Sequence, residues 1–232
     1  MKKIFLVFIV LIFSSCAQLQ TIAENYPQIG VSNTEIASGL RQALDMGIEK
    51  QVTKLTQENG FYNNELVRIT LPPELQKIDK TLRDVGLDAL ADEGLKVLNR
   101  AAEEAVKEAT PIFVDAVKEI TFYDARDILL GPDNAATLYL TNKTQEPLYN
   151  KFKPVVASSL DKVGATEIWA TIIKRYNNLP LTNDVNPDLA DYVSDQALDG
   201  VYTMIAIEER EIREKVSARS TALLKRVFAL QD

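Results

Sequence analysis

The side chains of this chain that could carry chemistry are mostly carboxylates, and their densest run lies between Asn183 and Asp199. Asp184, Asn186 and Asp188 hold alternate positions, the spacing at which oxygen ligands open an EF-hand loop, with Asp191 and Asp195 following. The remainder of that loop is missing. Leu189 stands where a tight-turn glycine is needed, Asp195 replaces the terminal bidentate glutamate, and Pro187 favours a helix start instead. Asn186 is therefore expected to cap a helix, with Asp188 complementing its positive N-terminus. On that helix Asp188, Asp191, Asp195 and Asp199 recur three or four residues apart, which can line one face. Such a row holds a cation, shares a proton as an acid/base pair, or simply faces water. Asp184, Asn186, Asp188, Asp191, Asp195 and Asp199 together form the candidate ligand or cation site.

Other groups carry weaker signals. Glu208 to Lys215 is a dense charge run in which Glu209 with Arg213 and Glu211 with Lys215 are i,i+4 pairs. Each is worth about 0.3 kcal/mol, so the run reads as a solvated helix face. Phe61, Tyr62 and Leu71, just before Pro72-Pro73, form either an exposed apolar lip for a partner or lipid, or a lid on the core. Tyr123, Tyr139 and Tyr149 are scattered and carry no signature.

The absences narrow the chemistry further. The chain has no histidine and one cysteine, Cys16. Ser-His-Asp and Cys-His nucleophiles, His/Cys zinc sites and c-type haem attachment all lack their residues. No catalytic residue, cofactor or metal is assigned, and any catalysis would fall to carboxylate, Lys, Tyr or Ser groups. The net charge of −7 repels phosphates, so no nucleic-acid partner is expected.

The first residues resemble a secretion address. Lys2 and Lys3 precede an apolar run from Ile4 to Phe13. That run is about ten residues, against about twenty for a membrane span, so it reads as the core of a signal peptide over residues 1–15. Phe13-Ser14-Ser15-Cys16 resembles a lipobox, departing from it at Phe13, where Leu, Val or Ile is usual. Acylation of Cys16 would tether the chain, each buried methylene contributing about 0.8 kcal/mol. No Asp follows Cys16, which by resemblance to sorting patterns favours the periplasmic face of the outer membrane. Residues 16–31 then form a flexible tether, and 32–232 a single domain.

Helical signals fill that domain. Ser32 and Glu35 make a capping pair before Ile36, Leu40, Ala43, Leu44, Ile48, Val52 and Leu55, with Gly60 placed as the stop. Val67 to Leu71 alternates and reads as extended or loop. Pro73 opens a helix closed by Gly86, and Asp88 caps the next, whose stripe is Leu90, Leu95, Leu98, Ala102 and Val106. Thr110-Pro111 and Thr121 with Asp124 start two more. Asp133 caps a short helix to Leu140, and Thr144 starts a longer one that Pro154 is expected to kink or split. Thr166 to Tyr176 holds the one tryptophan, Trp169. The longest helix follows Asn186-Pro187, and Ser217 caps the last. The expectation is an all-α, irregular bundle of about ten helices with little or no sheet.

Several strings resemble a known family when taken in order: Glu58 to Phe61, Arg68 to Leu75, Ala125 to Gly131, Asp133 to Thr137, Asp161 to Ala165, Asn186 to Leu189 and Ala197 to Gly200. They resemble domain-of-unknown-function family 4197, bacterial envelope proteins that often carry lipoprotein-like signals. The resemblance implies family and fold and brings no site. Three functions stay open. The first is a lipid-anchored, non-enzymatic module that binds an envelope partner or stabilises an assembly. The second is a carrier of an apolar ligand, which requires a dry cavity of about 300 Å³ or more. The third is a hydrolase with two carboxylates about 5 to 9.5 Å apart in a cleft.

Overall fold

The computed structural model describes residues 30–71, 76, 80, 83, 84, 86–178, 184 and 186–232. The expected signal peptide, Cys16 and nearly all of the expected tether lie outside them, as do most of the helix expected after Pro73 and the Pro72-Pro73 corner. Residues 34–232 cluster as one unit. Its helices are α1 (Asn33–Leu55), α2 (Asp88–Val106), α3 (Ala109–Lys118), α4 (Phe122–Leu129), α5 (Ala135–Asp161), α6 (Ala165–Asn177), α7 (Leu189–Glu214) and α8 (Ala222–Phe228), with a 3-10 turn at Val216–Ala218. No strand occurs among the described residues.

The fold is all-α, with eight helices described where the sequence suggests about ten. The helix expected after Pro73 falls mostly outside the described residues, and two others are fused into one. The short helix to Leu140 and the longer one from Thr144 are a single helix, α5, running through both Pro147 and Pro154. Thr144 does not cap; it is buried, its hydroxyl bonds the Leu140 carbonyl at 2.6 Å and meets the Tyr202 hydroxyl at 2.7 Å. The prolines withhold donors from the carbonyls of Lys143 and Asn150, both exposed residues where water can substitute.

Helix α5 is the centre of the bundle, touching α2, α3, α4, α6 and α7. Its buried positions Leu140, Thr144, Leu148, Phe152, Val156 and Leu160 are each four residues apart. On a helix of 3.6 residues per turn that spacing precesses by about 40° per step, so the buried stripe winds around the helix and meets several neighbours.

Three buried charged groups join helix ends. Glu209 on α7 accepts hydrogen bonds from the Ala136 and Thr137 amides and the Thr137 hydroxyl, at 2.8 to 2.9 Å. Asn134, at the capping position of α5, makes no side-chain cap bond, so the cap comes from another helix. Arg213 binds Glu209 at 2.8 Å and donates to the Leu129 and Ile128 carbonyls at the C-terminus of α4. The carboxylate thus meets a positive helix end and the guanidinium a negative one. Only part of the charge run is solvated: Glu211–Lys215 is exposed, whereas Glu209 and Arg213 are buried. Arg219 is the third, donating to the Ile212 and Arg213 carbonyls and pairing bidentately with Asp232 at 2.8 Å.

The remaining boundaries shift for local reasons. Helix α1 ends at Leu55, before Gly60, and Asn59 takes the left-handed conformation at φ 60°. Gly60 is held by space: a Cβ there would sit 2.6 Å from the Lys54 and Leu55 carbonyl oxygens. Asp88 is the first residue of α2 and makes no cap bond for it, and Leu90 is exposed. Thr110 lies within α3, one residue past its start. Thr121 and Asp124 form the expected capping box of α4. Thr221, not Ser217, caps α8.

Candidate functional site

The carboxylate row begins where α7 starts. Asp188, not Asn186, is the N-cap: its Oδ1 accepts the Asp191 amide at 3.0 Å, while Asn186 accepts the Asp188 amide at 2.9 Å. Asn186 thereby closes the tight turn that Pro187 initiates. Lys153, one turn beyond Tyr149 on α5, reaches across to Asp188 at 2.9 Å and Asp191 at 3.3 Å. It also donates to the Tyr149 hydroxyl at 3.0 Å, which in turn donates to Asp191, and the Asn186 amide donates to the same carboxylate. Trp169 of α6 completes the corner, donating to the Asn186 carbonyl at 3.4 Å and stacking on Tyr192.

These contacts set the protonation states. The hydrogen bond from Lys153 holds Asp188 below the usual carboxylate range, and that from Tyr149 does the same for Asp191. Bonding to Asp188 raises the Lys153 ammonium pKa, and bonding to Asp191 raises that of the Tyr149 phenol. Every member is driven further into its resting state, which is the signature of a tie between helices. Asp195 and Asp199 differ. Partial desolvation raises both, and Asp195 is pushed further by the charges of Asp191 and Asp199.

Beside this tie an open groove of about 510 Å³ runs between α5 and α7. Glu146, Asp191 and Asp195 give it negative charge, with Asn142, Gln145, Thr141 and Tyr149 adding hydrogen-bonding groups. The structure therefore joins Asn186, Asp188 and Asp191 through shared bonds and places Asp195 on the groove wall, with Asp199 exposed one turn on. Asp184 is exposed, and none of the bonds described above involves it. An EF-hand geometry does not form, since the Asn186 and Asp188 oxygens already serve amides and Lys153. No group of three acidic residues placed to hold a metal occurs among the described residues.

The apolar candidates divide. Phe61 is fully buried, its amide held by Glu103 at 3.3 Å and its ring against Gly200, so it is core and not lip. Burial raises the Glu103 pKa. Tyr62 is half-buried under Arg68 and Lys96, whose cations lie 4.7 and 5.7 Å from its ring centre. Leu71 is half-buried, and the segment leading to it is clamped by Asn99, which exchanges two 2.8 Å bonds with the Ile69 backbone. A small apolar hollow between α1, α5, α7 and α8 measures about 20 Å³, about one water and far below a ligand's needs.

Sequence reasoning misses Lys153 and Tyr149, because the partner carboxylates lie about forty residues away with no local pattern joining them. The burial of Glu209 was signalled: four residues past Ile205, it continues the stripe of Val201 and Ile205. No curated protein and no solved structure matches the chain. Residues 30–229 match the family described as protein of unknown function (DUF4197). With that match spanning nearly all of its described residues, the chain belongs to the DUF4197 family.

Proposed function

We propose that the mature protein is a lipid-anchored, periplasm-facing module that binds an envelope partner without catalysis, and that the α5/α7 groove is its recognition surface. The anchor is supported by the basic, apolar and Ser-Ser-Cys succession from Lys2 to Cys16. The observation carrying the binding role is the groove itself, an open acidic channel between two helices that Lys153 fixes in place. Its walls fit a partner segment bearing lysine or arginine side chains. The test is recovery from detergent extracts with the wild-type protein and a Glu146→Lys/Asp195→Lys variant. Saturable capture that drops at least about tenfold on charge reversal supports the reading. Equal capture by both proteins, or none by either, removes it.

A second reading, the hydrolase, draws support from Asp191 and Asp195 lining one groove wall, the first held ionised by Tyr149 and Lys153 and the second raised by partial desolvation. Screening glycoside and ester substrates with the wild type and Asp195→Asn separates the two readings. Turnover lost in the variant favours the hydrolase.

A further inference from the structure

We infer that the outward face of α4, made by Phe122, Tyr123, Arg126 and Leu130 with Leu230 beside it, docks on the lipid bilayer that holds the anchored N-terminus. The inference rests on the anchoring reading above.

Helix α4 has two unlike sides. Ala125, Ile128 and Leu129 are buried, whereas Phe122, Arg126 and Leu130 follow one another at four-residue spacing on the exposed side, flanked by Tyr123. Phe122 is 50% exposed, Tyr123 85%, Leu130 59% and Leu230 46%. Large apolar groups gathered on one short helix mark a surface meant to be covered.

What covers it follows from where the rest of the chain attaches. The preceding segment joins the domain at the first turn of α1. There Glu35 is ion-paired with Arg226 of α8, and one turn on Gly39 packs directly against Val227. The residues after α8 carry Leu230 and then Gln231, whose amide donates to the Leu129 carbonyl at the end of α4. At the other end of α4, Arg41 donates to the Ile120 carbonyl at 2.5 Å. The start of α1 thus packs on α8, whose following residues reach one end of α4, and Arg41 in the third turn of α1 reaches the other, so the apolar face and the start of α1 share this part of the domain. Residues 16–31 reach at most about 55 Å when fully extended, so an acylated Cys16 keeps this end within constant reach of the bilayer.

The composition suits a bilayer boundary. Aromatic rings with a polar edge settle at headgroup level, leucines enter the acyl boundary, and an arginine reaches phosphate. Arg126 is outnumbered on α4 by Asp124 and Asp127, so the apolar side chains and not attraction to anionic lipid hold the face to the bilayer.

The test uses the full acylated protein in phosphatidylethanolamine/phosphatidylglycerol vesicles with brominated acyl chains, comparing the parent with Tyr123→Trp. Tyr123 is exposed, so the substitution leaves the core untouched. Flotation with the vesicles and about twofold quenching of the added tryptophan, with Trp169 of the parent little changed, is the expected result. A protein that floats without that quenching overturns the docked face and leaves the anchor standing. Failure to float overturns both. Equal quenching of Trp169 assigns the contact to another face, and self-association abolished by Phe122→Ser assigns this one to a second copy; either overturns the inference.

Discussion

Glu209 and Arg213 show how two ionised side chains come to lie inside an all-α core. Each is nearly inaccessible, and each meets a helix end of opposite polarity as well as its partner. Removing one leaves the other charged and uncompensated, so Glu209→Ala is expected to cost about 3 to 5 kcal/mol in denaturant unfolding, with Glu209→Met/Arg213→Met costing less than the single change. A double variant weaker than Glu209→Ala would refute the pairing. The aspartates predict opposite pH responses. Asp188 and Asp191 have lowered values, so their stabilisation is present above the ordinary 3.8 and is lost as pH falls through their folded values. Lys153→Met is expected to weaken that acid-side loss, chiefly at Asp188, since Tyr149 still holds Asp191 low. Asp199 is raised, so its ionisation opposes folding at neutral pH and the penalty disappears as pH falls toward 3.8. Asp199→Asn should therefore raise Tm at pH 7, and the two proteins should converge below pH 3.8; a constant gap across the titration would contradict this.

Elements were legible in the sequence wherever the signal was local. The Thr121–Asp124 capping box, the apolar run of α1 and the alternation of Val67 to Leu71 all depend on neighbours within a turn or two. Legibility failed where a distant partner altered what a residue does. Thr144 looks like a helix start but is back-bonded within α5, because Tyr202 of α7 meets its hydroxyl and is itself pushed up to about 12 by burial. Asn186 looks like a cap but yields that place to Asp188, which Lys153 fixes from α5. Gly200 belongs to the same class. Within α7 an alanine would be the better helix former, yet a Cβ there would stand 2.7 Å from the Phe61 ring and 3.3 Å from Val67. Gly200→Ala is thus expected to destabilise by about 1 to 3 kcal/mol despite its propensity, and Phe61→Leu in the same chain should relieve part of that. Thermal unfolding of the three variants decides it; a stabilising Gly200→Ala would show that the turn above α7 packs loosely.

At the scale of the molecule, the candidate site was half visible. The carboxylates of the α7 row stood out by spacing alone, but the groove beside them exists only because α5 lies alongside, and the amine that neutralises two of them comes from that helix. The same dependence governs how the bundle assembles. Helix α5 touches five neighbours yet has no N-terminal cap of its own; its first amides are bonded by a side chain more than seventy positions later in the chain. Its opening turn is therefore expected to close late in folding, when α7 arrives. A synthetic peptide of residues 133–161 would begin its helix nearer the middle, leaving Ala136 and Thr137 frayed and fast to exchange their amide protons until the second helix is supplied.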